Sequence, residues 1–95
     1  MHEIANIHTE LAHGIPSAAG DYARAKVGAL ARYAPADVPV ATARLDFDGP
    51  HLVVAHGRLD VNGVPVNAKA AAATYTEAVD LLQDKLKHQL LAMSD

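Results

Sequence analysis

Six of the 95 residues are histidines, His2, His8, His13, His51, His56 and His88, and none is cysteine. Several imidazoles on one face can hold a metal ion, but the spacing here is against it. His51 and His56 stand five apart on a predicted strand and therefore point to opposite faces, and no two histidines stand four apart as they would on one side of a helix. Without cysteine there can be no disulfide, thiolate ligand or thiol nucleophile. Nor is there a G-x-S-x-G elbow, a phosphate-cradling G-x-x-x-x-G-K, or a carboxylate pair at an evident pocket; helix caps and solubility account for the acids. No catalytic residue, metal or cofactor is expected. The chemistry that remains is that of cations, which can neutralise phosphates.

Those cations fall into two groups. Arg44, Arg58 and Lys69 share strand parity with His56 and Asn67, which places them on the sheet face turned away from the helices. A solvated sheet face carries polar residues in any case, but this set could position the chain on phosphates without reading bases. The second group is Arg24, Lys26 and Arg32 on the first predicted helix, with Lys85, Lys87 and His88 near the end of the second. Lys26 sits in the apolar arc between Tyr33 and Leu30 and must snorkel or meet a partner. Glu77, Asp80 and Asp84 form an acidic stripe opposite the core side of the second helix, where RNA would be repelled.

The elements that must carry these residues follow from periodicity and turn chemistry. A strand is expected near residues 3–9, ended by Gly14-Ile15-Pro16. A helix follows from Ser17 to about Ala34, with Tyr22, Val27, Leu30 and Tyr33 on its packing arc and Arg24, Gly28, Ala31 and Arg32 outside it. Three alternating segments, Val38–Phe47, His51–Val61 and Val64–Ala72, read as an antiparallel meander. Asn62-Gly63 between the last two is a strong two-residue hairpin signal. Parity turns Ala43, Leu45, Phe47, Val53, Ala55, Leu59, Val61 and the Val64-to-Ala72 set toward the helices. Thr74 and Glu77 form a capping box at the start of a helix running to about Met93, with Tyr75, Val79, Leu82, Leu86, Leu90 and Met93 as its buried stripe. Leu81 and Leu91 fall off that stripe and are expected to be exposed. The expected fold is α+β: a two-layer β-α-β-β-β-α domain spanning residues 1–95, with a four-stranded, mostly antiparallel sheet and two helices on one face.

Composition narrows the function classes. One domain is all that 95 residues build, and 20 alanines within a 51 % hydrophobic chain make its core thin. Three tyrosines, one phenylalanine and no tryptophan leave little surface on which bases could stack. There is no apolar run long enough for a membrane span and no basic-then-apolar start of a secretory signal, so a soluble, cytoplasmic protein is expected. The formal charge of −3 means that any RNA partner must be met by local charge placement.

Several stretches resemble the ribosome hibernation-promoting factors, the ribosome-associated inhibitor or sigma-54 modulation type, in their N-terminal domain. They are Leu59-Asp60-Val61-Asn62-Gly63, the alanines Ala70 to Ala73, Tyr75-Thr76-Glu77-Ala78-Val79-Asp80, and Asp84-Lys85-Leu86-Lys87-His88-Gln89-Leu90. The first helix is similar too, with Ala25-Lys26, Leu30 and Tyr33 at the family's A-K-x-x-x-L-x-x-Y spacing. The resemblance covers most of residues 17–91, and residues 1–16 match poorly. It implies a non-enzymatic factor that occupies the mRNA and tRNA channel of the small ribosomal subunit, contacting rRNA through basic residues, here Arg24, Lys26, Arg32, Arg44, Arg58, Lys69, Lys85, Lys87 and His88. Two departures stand out: His88 occupies a position where the family has arginine or lysine, and no basic tail follows the second helix. With the negative charge and the expected exposure of Leu81 and Leu91, they motivate a second reading, a protein-interaction or self-association domain, possible as a homodimer, on the same scaffold.

Overall fold

Asn62 and Gly63 both take positive φ, 50° and 91°, the backbone of a two-residue turn whose twist matches that of its strands. The Gly63 amide donates to the Asp60 carboxylate at 2.7 Å, and Val61 pairs directly with Val64. This turn sets a register that runs without a slip through the sheet. In the computed structural model, which describes residues 3–93, the elements are β1 (Ile7–Leu11), α1 (Ser17–Gly28) continued by a 3-10 turn (Ala29–Tyr33), β2 (Val40–Asp48), β3 (Leu52–Val61), β4 (Val64–Ala72) and α2 (Tyr75–Met93). The strands lie in the order β1-β2-β3-β4. β1 runs parallel to β2, and the β2–β3 and β3–β4 pairs are antiparallel. The α+β, β-α-β-β-β-α architecture is therefore as expected.

Alternation along the strands builds two unlike faces. Ala41, Ala43 and Leu45 of β2, Ala55, Leu59 and Val61 of β3, and Val66 and Ala70 of β4 are buried beneath the helices. α1 lies over β1 and β2, and α2 over β3 and β4. From α1 the core receives mostly small groups, Ala19, Gly20, Ala23 and Val27, so this helix sits close to the sheet. A Cβ on Gly20 would lie 3.1 Å from Leu11. α2 supplies the bulk, with Val79, Leu82, Leu86 and Leu90 at most 1 % exposed. The Thr74 half of its capping box is formed, the hydroxyl accepting from the Glu77 amide at 3.2 Å.

The outcome differs from expectation at the element ends. β1 begins at Ile7, and Ile4 makes only an isolated bridge to Val38. The first helix is α-helical only to Gly28; Ala34 must be extended ahead of Pro35, and the chain tightens into a 3-10 turn before it. Phe47 and Val64 have core-facing parity but are 50 % and 51 % exposed, because they occupy opposite ends of the sheet where helix cover runs out. Leu81 and Leu91 are exposed as expected. Ten residues separate them by about 15 Å along the helix axis, so they do not merge into one patch.

Gly57, midway along β3, lies directly beneath α2. A Cβ there would meet Leu86 at 2.9 Å and Leu82 at 3.1 Å, so the missing side chain is what lets the two leucines seat. Gly57→Val is expected to lower the unfolding free energy by about 1–3 kcal/mol through overpacking, read from urea denaturation. In the Gly57→Val, Leu86→Ala double variant the loss should be smaller than the sum of the single losses, because the valine fills the vacated space.

Candidate nucleic-acid interface

The face away from the helices is assembled by register. Glu10, Arg44, His56 and Lys69 form one row across all four strands, since Glu10 pairs with Arg44, Arg44 with His56 and His56 with Lys69. His8, Thr42, Arg58 and Asn67 form the adjacent row. All of these but His8 line an open depression of about 510 Å³, together with Gly57 and Ala68. Short Thr42 and Asn67 stand among longer side chains, which gives the surface its hollow.

Charge in this hollow is only partly cancelled. Arg44 Nε contacts Asp46 at 2.8 Å, and the same carboxylate oxygen lies 3.8 Å from His56 Nε2. Among the described residues Arg58 and Lys69 form no ion pair. Partial burial, and then the nearby Arg44 and Lys69, push the His56 imidazole below its ordinary value against the opposing pull of Asp46. A group lowered in this way stabilises the fold at pH above its unfolded value, and that contribution is lost as pH falls through the folded value. Among the described aromatic residues none lies on this face: Tyr22, Tyr33 and Tyr75 belong to the helical layer, and Phe47 has the opposite strand parity.

The nine candidate cations thus separate into three environments. Arg44, Arg58 and Lys69 converge on the open face. Arg32 and Lys87 flank a smaller groove of about 280 Å³ beside Tyr33 and Asp84, with Lys87 Nζ 4.7 Å from the centre of the Tyr33 ring. The remaining four are tied to neighbours in the fold. Arg24 donates to the Ile7 carbonyl at 2.8 Å, binding α1 to β1. Lys26 reaches Asp80 at 3.3 Å and lies 5.7 Å from the Tyr22 ring centre, which is how it escapes the apolar arc. His88 stands 3.9 Å from Asp84.

Lys85 has a role that sequence spacing alone concealed. Its Nζ donates to the Lys69 carbonyl at 2.8 Å, and Gln89 Nε2 donates to the Asn67 carbonyl at 2.7 Å. Side chains four apart on a helix rise about 6 Å, close to the spacing of carbonyls two apart on a strand. α2 thereby covers acceptors on the free edge of β4, blunting a strand that could otherwise pair with another chain. The i, i+4 spacing of a lysine and a glutamine was the available signal, but it names no partner. On the acidic stripe, Tyr22 donates to Asp80 at 2.5 Å. That bond first, then Lys26, holds the Asp80 carboxyl below its ordinary value, and it also raises the Tyr22 phenol.

The family described as "Sigma 54 modulation protein / S30EA ribosomal protein" matches residues 12–95. No curated protein sequence matches the chain. Among solved structures, the N-terminal domain of Thermus thermophilus Protein Y is 25 % identical with a TM-score of 0.75, over 98 % of this chain and 99 % of that one. A ribosomal subunit interface protein from Coxiella burnetii is 21 % identical with a TM-score of 0.78, over 93 % and 96 %. The fold likeness therefore extends over β1, which lies outside the family match.

Two expectations follow from these contacts. Lys85→Met should lower the unfolding free energy by about 1 kcal/mol, and Lys85→Arg should retain most of it, as checked by urea denaturation. Asp80→Asn should return the Tyr22 phenol toward its ordinary range in an absorbance titration. Because the Asp80 carboxyl is depressed in the fold, its stabilisation is present above the unfolded carboxylate value and lost as pH falls through the folded one; denaturation midpoints of the variant should fall less steeply at acid pH.

Proposed function

The chain belongs to the Sigma 54 modulation protein / S30EA ribosomal protein family, and on that premise we propose that it binds rRNA of the small ribosomal subunit, occupying the channel used by mRNA and tRNA and so holding translation idle. The observation that carries this reading is the convergence of Arg44, Arg58 and Lys69 on one open, aromatic-free hollow. Cations without stacking rings suit phosphate contact rather than base readout, and a rigid two-layer domain excludes other occupants by its volume. Arg32 and Lys87 beside the smaller groove supply a further contact area. The net charge of −3 works with this orientation: Glu77 and Asp80 repel RNA from their part of α2 and leave the sheet face as the main surface that approaches phosphates. Binding of this kind involves no chemical conversion and takes place in the cytoplasm. No helix of the described chain is long and apolar enough to cross a membrane.

Co-sedimentation with small ribosomal subunits across a salt series tests the reading. Binding should weaken steeply with salt, and Arg44→Glu, Arg58→Glu, Lys69→Glu combined should reduce it and flatten the logarithmic salt dependence by about three. Reversal of Arg24 and Lys26, which are engaged within the fold, should change the slope less. Unaltered binding by the triple variant would refute the sheet-face contact.

A further inference from the structure

We propose that the row Arg44, His56 and Lys69 holds a single RNA phosphate and takes up one proton at His56 as it does so, which makes binding tighten as pH falls. The inference rests on the reading that the open face meets RNA phosphates, and it adds how that contact is regulated.

The argument begins with position. β3 is flanked by β2 and β4, so His56 has Arg44 directly opposite on one side and Lys69 on the other. Directly opposed residues have Cβ atoms about 4.5–5.5 Å apart, and all three side chains rise from the same face. An anion seated over His56 is thus within reach of a guanidinium and an ammonium from adjacent strands. Both helices lie on the other face, so the charged groups around His56 come from the sheet alone: Glu10 of β1, Arg44 and Asp46 of β2, Arg58 of β3 and Lys69 of β4.

Charge then assigns His56 its role. Around His56 the three fixed cations face two carboxylates, Glu10 and Asp46, with Asp60 further along β3 beyond Arg58, which leaves one net positive charge about the ring. Protonation of His56 doubles it, so one imidazole governs half of the attraction available to a phosphate. In the free protein partial burial, Arg44 and Lys69 disfavour the protonated ring, and the single Asp46 oxygen at 3.8 Å offsets this only in part. A phosphate oxygen brings a negative charge and an acceptor to the same point. The ring nitrogen then takes a proton from the solvent and donates it in a hydrogen bond; no other bond forms or breaks. By linkage, whatever makes a bound anion favour the protonated ring makes the protonated ring favour the anion. The domain would hold RNA through a contact that strengthens over a range where an ordinary arginine or lysine contact is constant.

The test is binding of a short mixed-sequence RNA duplex, followed by fluorescence anisotropy at fixed ionic strength between about pH 5.5 and 8. The natural chain should bind up to about tenfold tighter per pH unit of acidification above the His56 titration. His56→Gln, which is neutral throughout, should lose most of that slope, and His56→Lys should bind tightly with a flat profile. The duplex should also move the His56 ring titration to higher pH, read by NMR, whereas His8 in the neighbouring row serves as the internal comparison. Equal pH slopes in the natural and His56→Gln chains, an unmoved His56 titration, or no duplex binding at any pH would each overturn the proposal. Circular dichroism confirms that the variants remain folded. Ribosome co-sedimentation separates the two ideas. Proton-linked duplex binding by a chain that ignores ribosomes leaves this site standing and refutes the ribosomal reading. Ribosome binding with identical pH dependence in both chains does the reverse.

Discussion

The register of β3 between its neighbours is the constraint on which the rest of this molecule depends. The Asn62-Gly63 turn starts it, with both residues at positive φ and Asp60 closing the loop through the Gly63 amide. From there each residue of β3 from Val53 to Asp60 has one partner on β2 and one on β4. Because side chains alternate, a slip of one residue would exchange the two faces, driving Arg58 toward the leucines of α2 and turning Leu59 to water. Burial of a charge without a partner costs far more than any surface contact gains, so the core and the cationic hollow specify each other.

The helical layer is adapted to a thin sheet face. Alanines take four of the buried strand positions, Ala41, Ala43, Ala55 and Ala70, and α2 supplies three of the large buried leucines, Leu82, Leu86 and Leu90. Gly57 makes room for two of them in the middle of the layer. The same helix is held a second time at the rim, where Lys85 and Gln89 take carbonyls of β4. One element therefore fills the core, guards a sheet edge and, through Glu77, Asp80 and Asp84, carries the acidic side of the molecule. Crowding these duties onto α2 leaves the opposite sheet face free of packing demands, and there cations can be placed without cost to the fold.

A negative chain can present a local cationic cluster because Arg44, Arg58 and Lys69 gather around His56 in two adjacent rows, with Asp48 and Asp60 at the ends of the same face. Asp80 is occupied by Tyr22 and Lys26 on the helical side, and Asp46 shares itself between Arg44 and His56 on the sheet side. The second arrangement is less complete. It leaves Arg58 and Lys69 without an ion pair among the described residues, and it sets His56 between two cations that disfavour its protonation. That local imbalance is what a phosphate would relieve.

Much of this was legible in the chain itself. Period-two alternation and the Asn-Gly turn determined the meander, its faces and the grouping of Arg44, His56, Arg58, Asn67 and Lys69. The leucine stripe and Thr74 determined α2. These are local or nearest-neighbour rules, which act wherever the residues occur. The ends of elements were not legible, since the exposure of Phe47 and Val64 depends on how far the helices reach over the sheet. Nor were the partners of Arg24, Lys26 and Lys85, whose long side chains can meet any acceptor that the fold brings near. Sequence periodicity determined which side of an element each residue occupies. Only the tertiary structure decided which cations remain available and which are consumed, because that choice rests on distances between groups far apart along the chain.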